Sequence, residues 1–361
     1  MQTAIPTTLM RGGTSKGLYF AASDLPQNEE IRNAVLLAAM GSPDPRQIDG
    51  VGGGHPLTSK IAILSPSKDE RVDVDYYFLQ AAVDESRVSD SQPCGNILAG
   101  VGPWAIEKGW IDVTGDVTPV RIRTTNNGSI AIAYVSTPDG IVDYAGDASI
   151  DGVPGTAAAI PIDFQDVAGS NCGALFPTGA LIDDVNGVDI TCIDNGMPVV
   201  LLRAKDFGLT GNETPPELEA DDELKSRIEA IRLTVGPRMN LGDVADKTVP
   251  KMTLISPPKN GGTVSTRTFI PHRVHEAIGV LGAVSVAAGC AIPNTVAEGV
   301  AQAPDADSIF KIEHPTGAFS VDMEIDSNND AVVIRKSALV RTARKLMQGD
   351  VFVPNYLWSG A

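Results

Sequence analysis

Several kinds of chemistry lack their residues in this chain. It has four cysteines in 361 residues, Cys94, Cys172, Cys192 and Cys290, far apart and with no CxxC pair. A disulfide framework and a thiolate zinc site are therefore not expected. No basic run occurs, and 28 Lys plus Arg stand against 45 Asp plus Glu, a net charge of −17. That excludes the usual footprint of nucleic-acid or anionic-membrane binding, so neither is an expected partner. Residues 1–10 have no basic region and no long apolar stretch, which argues against a signal peptide. The most apolar segment, 277–293, is Gly-rich, marginal in length for a membrane span, and reads as a buried core helix. Cytoplasm is the expected compartment. Familiar motifs are also missing. The order of residues 11–17 is not GxxxxGK[ST], Gly52-Gly53-Gly54 is not GxGxxG, His275-Glu276 begins no HExxH, and no GxSxG is present. Neither a metal nor a cofactor is expected.

What is present is glycine (36) and proline (25), which favours short strands joined by tight turns. The length predicts two domains. Residues 7–10 and 18–20 read as strands around a polar turn, Arg11-Gly12-Gly13-Thr14-Ser15-Lys16-Gly17. Residues 28–40 have helical spacing and stop at Gly41-Ser42-Pro43. Strands are predicted at 59–64, 72–83, 117–122, 129–135 and 140–144. Residues 97–108 are apolar on nearly every face, which predicts a helix buried on all sides.

The second half repeats this order. Residues 195–202 echo 13–20, 218–235 supply the matching helix, 250–257 echo 59–66, and 279–290 form a second all-apolar helix. Two homologous halves, each a set of strands around one buried helix, make a pseudo-twofold α+β protein with a cleft expected between them. The expected domains are 1–175 and 176–344, with 345–361 completing the first.

Helix N-termini bind carboxylates through free N–H groups and a partial positive charge. Cys94-Gly95-Asn96 opens one apolar helix, and the other starts just after His275, at Gly279. Taken alone, Gly95 and Asn96 read equally well as a plain cap; the repeated architecture tips the reading toward function. Lys60 lies on an otherwise apolar strand and is a candidate general base, although an exposed strand lysine is the commoner case; its repeat mate Lys251 fits that ordinary reading. Cys94 reads as a reactive thiol or as a small buried hydrophobe. No cysteine stands at its counterpart near Ile278, which disfavours a two-thiol racemase. Arg11, Ser15, Lys16, Arg267, His272 and His275 are candidate carboxylate donors.

Met10-Arg11-Gly12-Gly13-Thr14-Ser15-Lys16-Gly17, Leu57-Thr58-Ser59-Lys60, Cys94-Gly95-Asn96 and Arg341-Thr342-Ala343-Arg344 resemble the 2-methylaconitate isomerase family, over essentially the whole chain. The resemblance implies a diaminopimelate epimerase-like fold, with two pseudo-symmetric domains, each a β-barrel-like sheet wrapped around a central hydrophobic helix. It also implies a cofactor-independent isomerase of an unsaturated polycarboxylic acid, with Lys60 as general base and Cys94 as a nearby thiol. Within the family, residues 41–50 and 192–198 look closest to members acting on oxo-acids from aromatic-ring cleavage. The expected substrate-binding residues are Arg11, Thr14, Ser15, Lys16, Thr58, Ser59, Gly95, Asn96, Asn195, Arg267, His272, His275 and Gly279. The expected partner is a small tricarboxylate or oxo-acid, and a homodimer is compatible with this reading. The rival readings are cis–trans isomerisation of 2-methylaconitate or aconitate, and a non-catalytic tricarboxylate-binding protein.

Overall fold

Residues 12–14 turn the chain back on itself between β1 (Gln2–Gly12) and β2 (Ser15–Ala21). Gly13 sits at φ 52°, and a side chain there would strike that of Asn96, so the tip accepts only glycine. The computed structural model describes residues 1–360 apart from 91–93, 272, 303, 305–308 and 329–330. It divides into two compact units, Met1–Asp163 with Arg341–Ala361, and Phe164–Val340.

In the first unit β2 runs parallel to β3 (Lys60–Pro66), which pairs antiparallel with β4 (Val74–Ala81). Strand β4 meets the short β5 (Val88–Ser89) and runs parallel to β6 (Val117–Thr124), itself antiparallel to β7 (Ile130–Ser136). Strand β8 (Ile160–Phe164) follows, and the last strand, β17 (Ala343–Pro354), returns along β1 from Gly12↔Ala343 to Gln2↔Pro354. Helix α1 (Glu29–Met40) begins where the Asn28 side chain accepts from Ile31 N at 3.0 Å, and ends at Gly41 in the left-handed region. Its apolar stripe, including Val35, Leu36 and Met40, packs on Leu18, Phe20, Ile61 and Ile63. Burying each such side chain is worth about 1.5–3 kcal/mol.

The opposite sheet face holds the apolar segment, and here the structure departs from the expected continuous helix. Two short helices, α2 (Gly95–Leu98) and α3 (Val101–Glu107), are separated by Ala99 and Gly100. Pro103 has no N–H to give to Ala99 O, and Tyr19 OH donates to Ile97 O. A side chain at Gly100 would strike the Tyr19 ring, so the aromatic packs directly against the junction. Trp104 Nε1 anchors α3 by donating to Thr8 Oγ1 at 3.0 Å. The strand predicted at 140–144 is also absent. Asp139 (φ 56°) and Gly140 (φ 80°) turn the chain at its start, and although Ile141 is extended, residues 141–144 join no strand.

The second unit repeats the order. Strand β9 (Asp183–Val185) pairs with β10 (Val188–Asp194), and β10 with β11 (Pro198–Arg203). Strand β11 runs parallel to β12 (Lys251–Ser256), which is antiparallel to β13 (Val264–Phe269). The register matches the first unit: Lys60 lies beside Gly17, and Lys251 beside Val199. The single helix expected at 218–235 is two, α4 (Pro215–Glu219) and α5 (Asp222–Arg238), because Thr214 forms a capping box and Asp221 caps anew. Helix α6 (Val280–Ala291) is unbroken, and its Val284, Val286 and Ala287 share a core with Ile193, Leu201, Ile312 and Val321. Strands β14 (Ile309–His314), β15 (Gly317–Asn328) and β16 (Ala331–Arg341) follow, each antiparallel to the next. Among the described residues no helix is long and apolar enough to cross a membrane.

Candidate active site

Lys60 opens β3, and its directly opposed neighbour on β4 is Gln80, so both side chains leave the same face. Lys60 Nζ donates to Gln80 Oε1 at 3.0 Å and stands 5.1 Å from the centre of the Phe78 ring. Gln80 is itself fixed. Its Nε2 lies 3.1, 3.0 and 3.1 Å from the carbonyls of Pro56, Ser59 and Ala81, which aims Oε1 at the amine. A polar residue closing an apolar strand was the sequence signal for Gln80, but only the pairing with Lys60 gives it meaning.

Cys94 precedes α2 with extended geometry, and its carbonyl accepts from Tyr76 OH at 3.2 Å. Tyr76 and Phe78 point to the Lys60 side of β4, so the strand delivers Cys94 and Lys60 to one cavity. That cavity, about 650 Å³, is lined by Lys60, Phe78, Gln80, Cys94 and Arg87, among others. The size is ordinary for a small-molecule site. The Arg87 guanidinium is held by Glu85 at 2.9 Å and is the guanidinium of this cavity, unforeseen from sequence. Burial pushes the Tyr76 phenol well above its ordinary range, with Cys94 a further cause, so Tyr76 stays a neutral hydrogen-bond donor.

No other expected residue of the first unit lines this cavity. Arg11, Thr14, Ser15, Lys16 and Thr58 line a second cavity of about 550 Å³ in the same unit. Asn96 Nδ2 donates to Thr14 Oγ1 at 3.1 Å, and its buried Oδ1 has no partner among the described residues. Gly95 begins a helix of a single turn. Ser59 is fully buried, its Oγ 2.8 Å from both Gln47 Oε1 and His55 O, and ties down the loop before β3. In the second unit Asn195 is fully buried, with its N–H bonded to Ser285 Oγ and Nδ2 to Ser337 Oγ, both at 3.0 Å. Arg267 is spent on Glu213 O at 2.6 Å and Thr266 O at 2.8 Å. Gly279 is the exposed residue before α6. His272 lies outside the described residues.

His275 accepts from Ala277 N at 2.9 Å through Nδ1. Burial first, then Lys251, lowers its pKa from the ordinary value, with Glu276 opposing. Below about pH 6.5 the unfolded chain therefore binds a proton that the folded His275 resists. Stability should fall as pH drops through that value, and His275→Gln should flatten the dependence in urea titrations run at pH 5 to 8. An unchanged slope would remove His275 from the account.

The family model described as PrpF protein matches residues 2–354. This chain belongs to the PrpF family. It is 57% identical over 360 residues to "4-oxalomesaconate tautomerase" of Pseudomonas putida, covering 99% of each chain. It is 58% identical over 349 residues to "(4E)-oxalomesaconate Delta-isomerase" of Novosphingobium sp. strain KA1, covering 96% of this chain and 97% of the relative. Among solved structures, methylitaconate-delta-isomerase superposes with a TM-score of 0.89 at 32% identity, over 99% of this chain and 97% of the other. The PrpF chain thus has the α+β, epimerase-like fold of this isomerase group.

Proposed function

We propose that this PrpF-family chain is a 4-oxalomesaconate tautomerase, an allylic isomerase in the breakdown of aromatic acids, with Lys60 as general base. The observation that carries this reading is the Lys60 amine, aimed by Gln80 into a cavity that also holds Cys94. The two relatives named for oxalomesaconate supply the substrate class.

The chemistry is a proton shift with no redox change. Lys60 takes a proton from a carbon made acidic by the neighbouring oxo and alkene groups. The electron pair moves through the conjugated system to the oxo oxygen, giving a dienolate. A proton then returns at the far carbon from Lys60, Cys94 or water, and the double bond is displaced. The substrate is its own electron sink. Arg87 offers a guanidinium to one carboxylate, and the Phe78 face excludes water beside the amine.

The test is a proton NMR time course in deuterated buffer, with 4-oxalomesaconate and 2-methylaconitate in separate tubes. Conversion of the first with deuterium entering the allylic carbon is expected. Conversion of methylaconitate alone would keep the mechanism and move the substrate. No exchange in either tube, together with tight binding of the acid, would favour a binding protein.

A further inference from the structure

The loop that carries the chain from α1 to β3 is built around one side chain. Gln47 is 1% exposed and stands at φ 49°, a conformation that a residue with a side chain keeps only where its surroundings enforce it. Its amide is used at both ends. Oε1 accepts from Gly54 N and from Ser59 Oγ, both at 2.8 Å, and Nε2 donates to Ser42 Oγ at 3.1 Å. One planar group thus joins the start, the middle and the end of the loop. A side chain at Gly52 would strike the same amide, so glycine there lets the backbone close on it. Val51 N and Gly52 N donate to Ala39 O and Met40 O at 3.0 and 3.1 Å, which hangs the loop on the end of α1.

Two consequences reach the Lys60 cavity. Pro45, Gly54 and Pro56 of this loop line it, and Asp44 N donates at 3.0 Å to the carbonyl of Val83, another lining residue. The loop also supplies the carbonyls of Pro56 and Ser59 that hold Gln80 Nε2, and Gln80 Oε1 in turn receives the Lys60 amine. Ser59 directly precedes Lys60, and its hydroxyl is the one bound to Gln47. Gln47 does not itself line the cavity. Two of the three carbonyls that aim Gln80 nevertheless belong to the loop that Gln47 ties together.

We propose that Gln47 is a positioning residue for the isomerisation, holding the loop carbonyls that orient Gln80 and, through Gln80, the Lys60 amine. The proposal rests on Lys60 as the general base. A misplacement of about 1 Å between reacting groups can cost about 10²-fold in rate, so a loosened loop is felt in turnover. Arg87 stands beyond β4, held by Glu85 at 2.9 Å and outside this loop, so the docking of a carboxylate is affected less. The signature of the role is a fall in kcat with KM nearly kept.

The experiment is steady-state kinetics with 4-oxalomesaconate on the full chain, as wild type, Q47L, Q47N, Q47E and K60M, each assayed well below the onset of its own thermal unfolding. Q47L removes all three hydrogen bonds and is expected to lower kcat at least tenfold, with KM changed less than threefold. Q47N keeps an amide but sets it one methylene short, and Asn is at home at positive φ. It should lower kcat at least fivefold, and it carries the test if Q47L does not fold. Q47E keeps both acceptor bonds, and the Ser42 hydroxyl can turn to donate, so its kcat should lie within threefold of wild type. Q47N matching wild type in both constants would overturn the proposal, because an amide that only stabilises the loop lowers the thermal midpoint and leaves kcat alone. So would a change confined to KM, or Q47E as slow as Q47L. K60M separates this role from the base assignment. Activity retained in K60M overturns the base, whereas an inactive K60M beside an unimpaired Q47N overturns the role of Gln47 alone.

Discussion

Lys60→Met is expected to cut turnover of 4-oxalomesaconate by at least the 10²–10⁴-fold typical of a lost general base, with deuterium exchange at the allylic carbon lost in parallel. Met keeps the apolar stem against Phe78 while removing the amine. Among the described residues the amine's only hydrogen bond is to Gln80 Oε1, and Gln80 stays anchored through Nε2 to three backbone carbonyls. Loss of one such bond costs on the order of 1 kcal/mol, so the thermal midpoint should move little. A variant retaining activity within tenfold of wild type would falsify the base assignment. Cys94→Ser is the milder change and should retain more activity, since Lys60 or water can return the proton.

The second large effect is on stability. Arg232 on α5 is fully buried, with Nε and Nη2 each 2.7 Å from a Glu229 carboxylate oxygen. Its other donors reach the carbonyls of Val244, Ala245, Lys247 and Val249 at 2.8–3.3 Å. One guanidinium therefore serves four carbonyls of the loop leading to β12. Arg232→Met fills much of the volume but strands four carbonyls, each costing about 1–3 kcal/mol where it stays buried and unpaired, while Glu229, its side chain 31% exposed, can turn to water. A chain of two units need not unfold in one step, so the readout is the first urea transition, which should move to lower urea. A loss below about 1 kcal/mol would mean that water or a rearranged loop replaces the guanidinium.

The parts legible in the sequence were those whose causes are local. Asn28 and Gly41 bound α1 through cap chemistry that needs only a few neighbouring residues, and the hairpin tip needs glycine whatever surrounds it. The repeat was legible because both halves carry the same order of turn and apolar signals. The break between α2 and α3 was not, since one of its causes is Tyr19, distant in the chain. Gln80 and Arg87 were missed for the same reason, as each gains meaning only from the residue across the cavity. That Lys16 and Lys60 leave different faces of the sheet follows from the strand register and not from residue type.

The pairing of β1 with β17 has a consequence for biosynthesis. Strand β1 leaves the ribosome long before β17, which closes its outer edge from Gln2 to Gly12. Every residue of the second unit has emerged by then, so that unit can complete itself while the first still exposes an unpaired edge. An open edge is the usual route to mispairing between nascent chains. Ribosomal stalling ahead of Ala343 should therefore yield chains whose C-terminal half resists protease while the N-terminal half remains a target for chaperones.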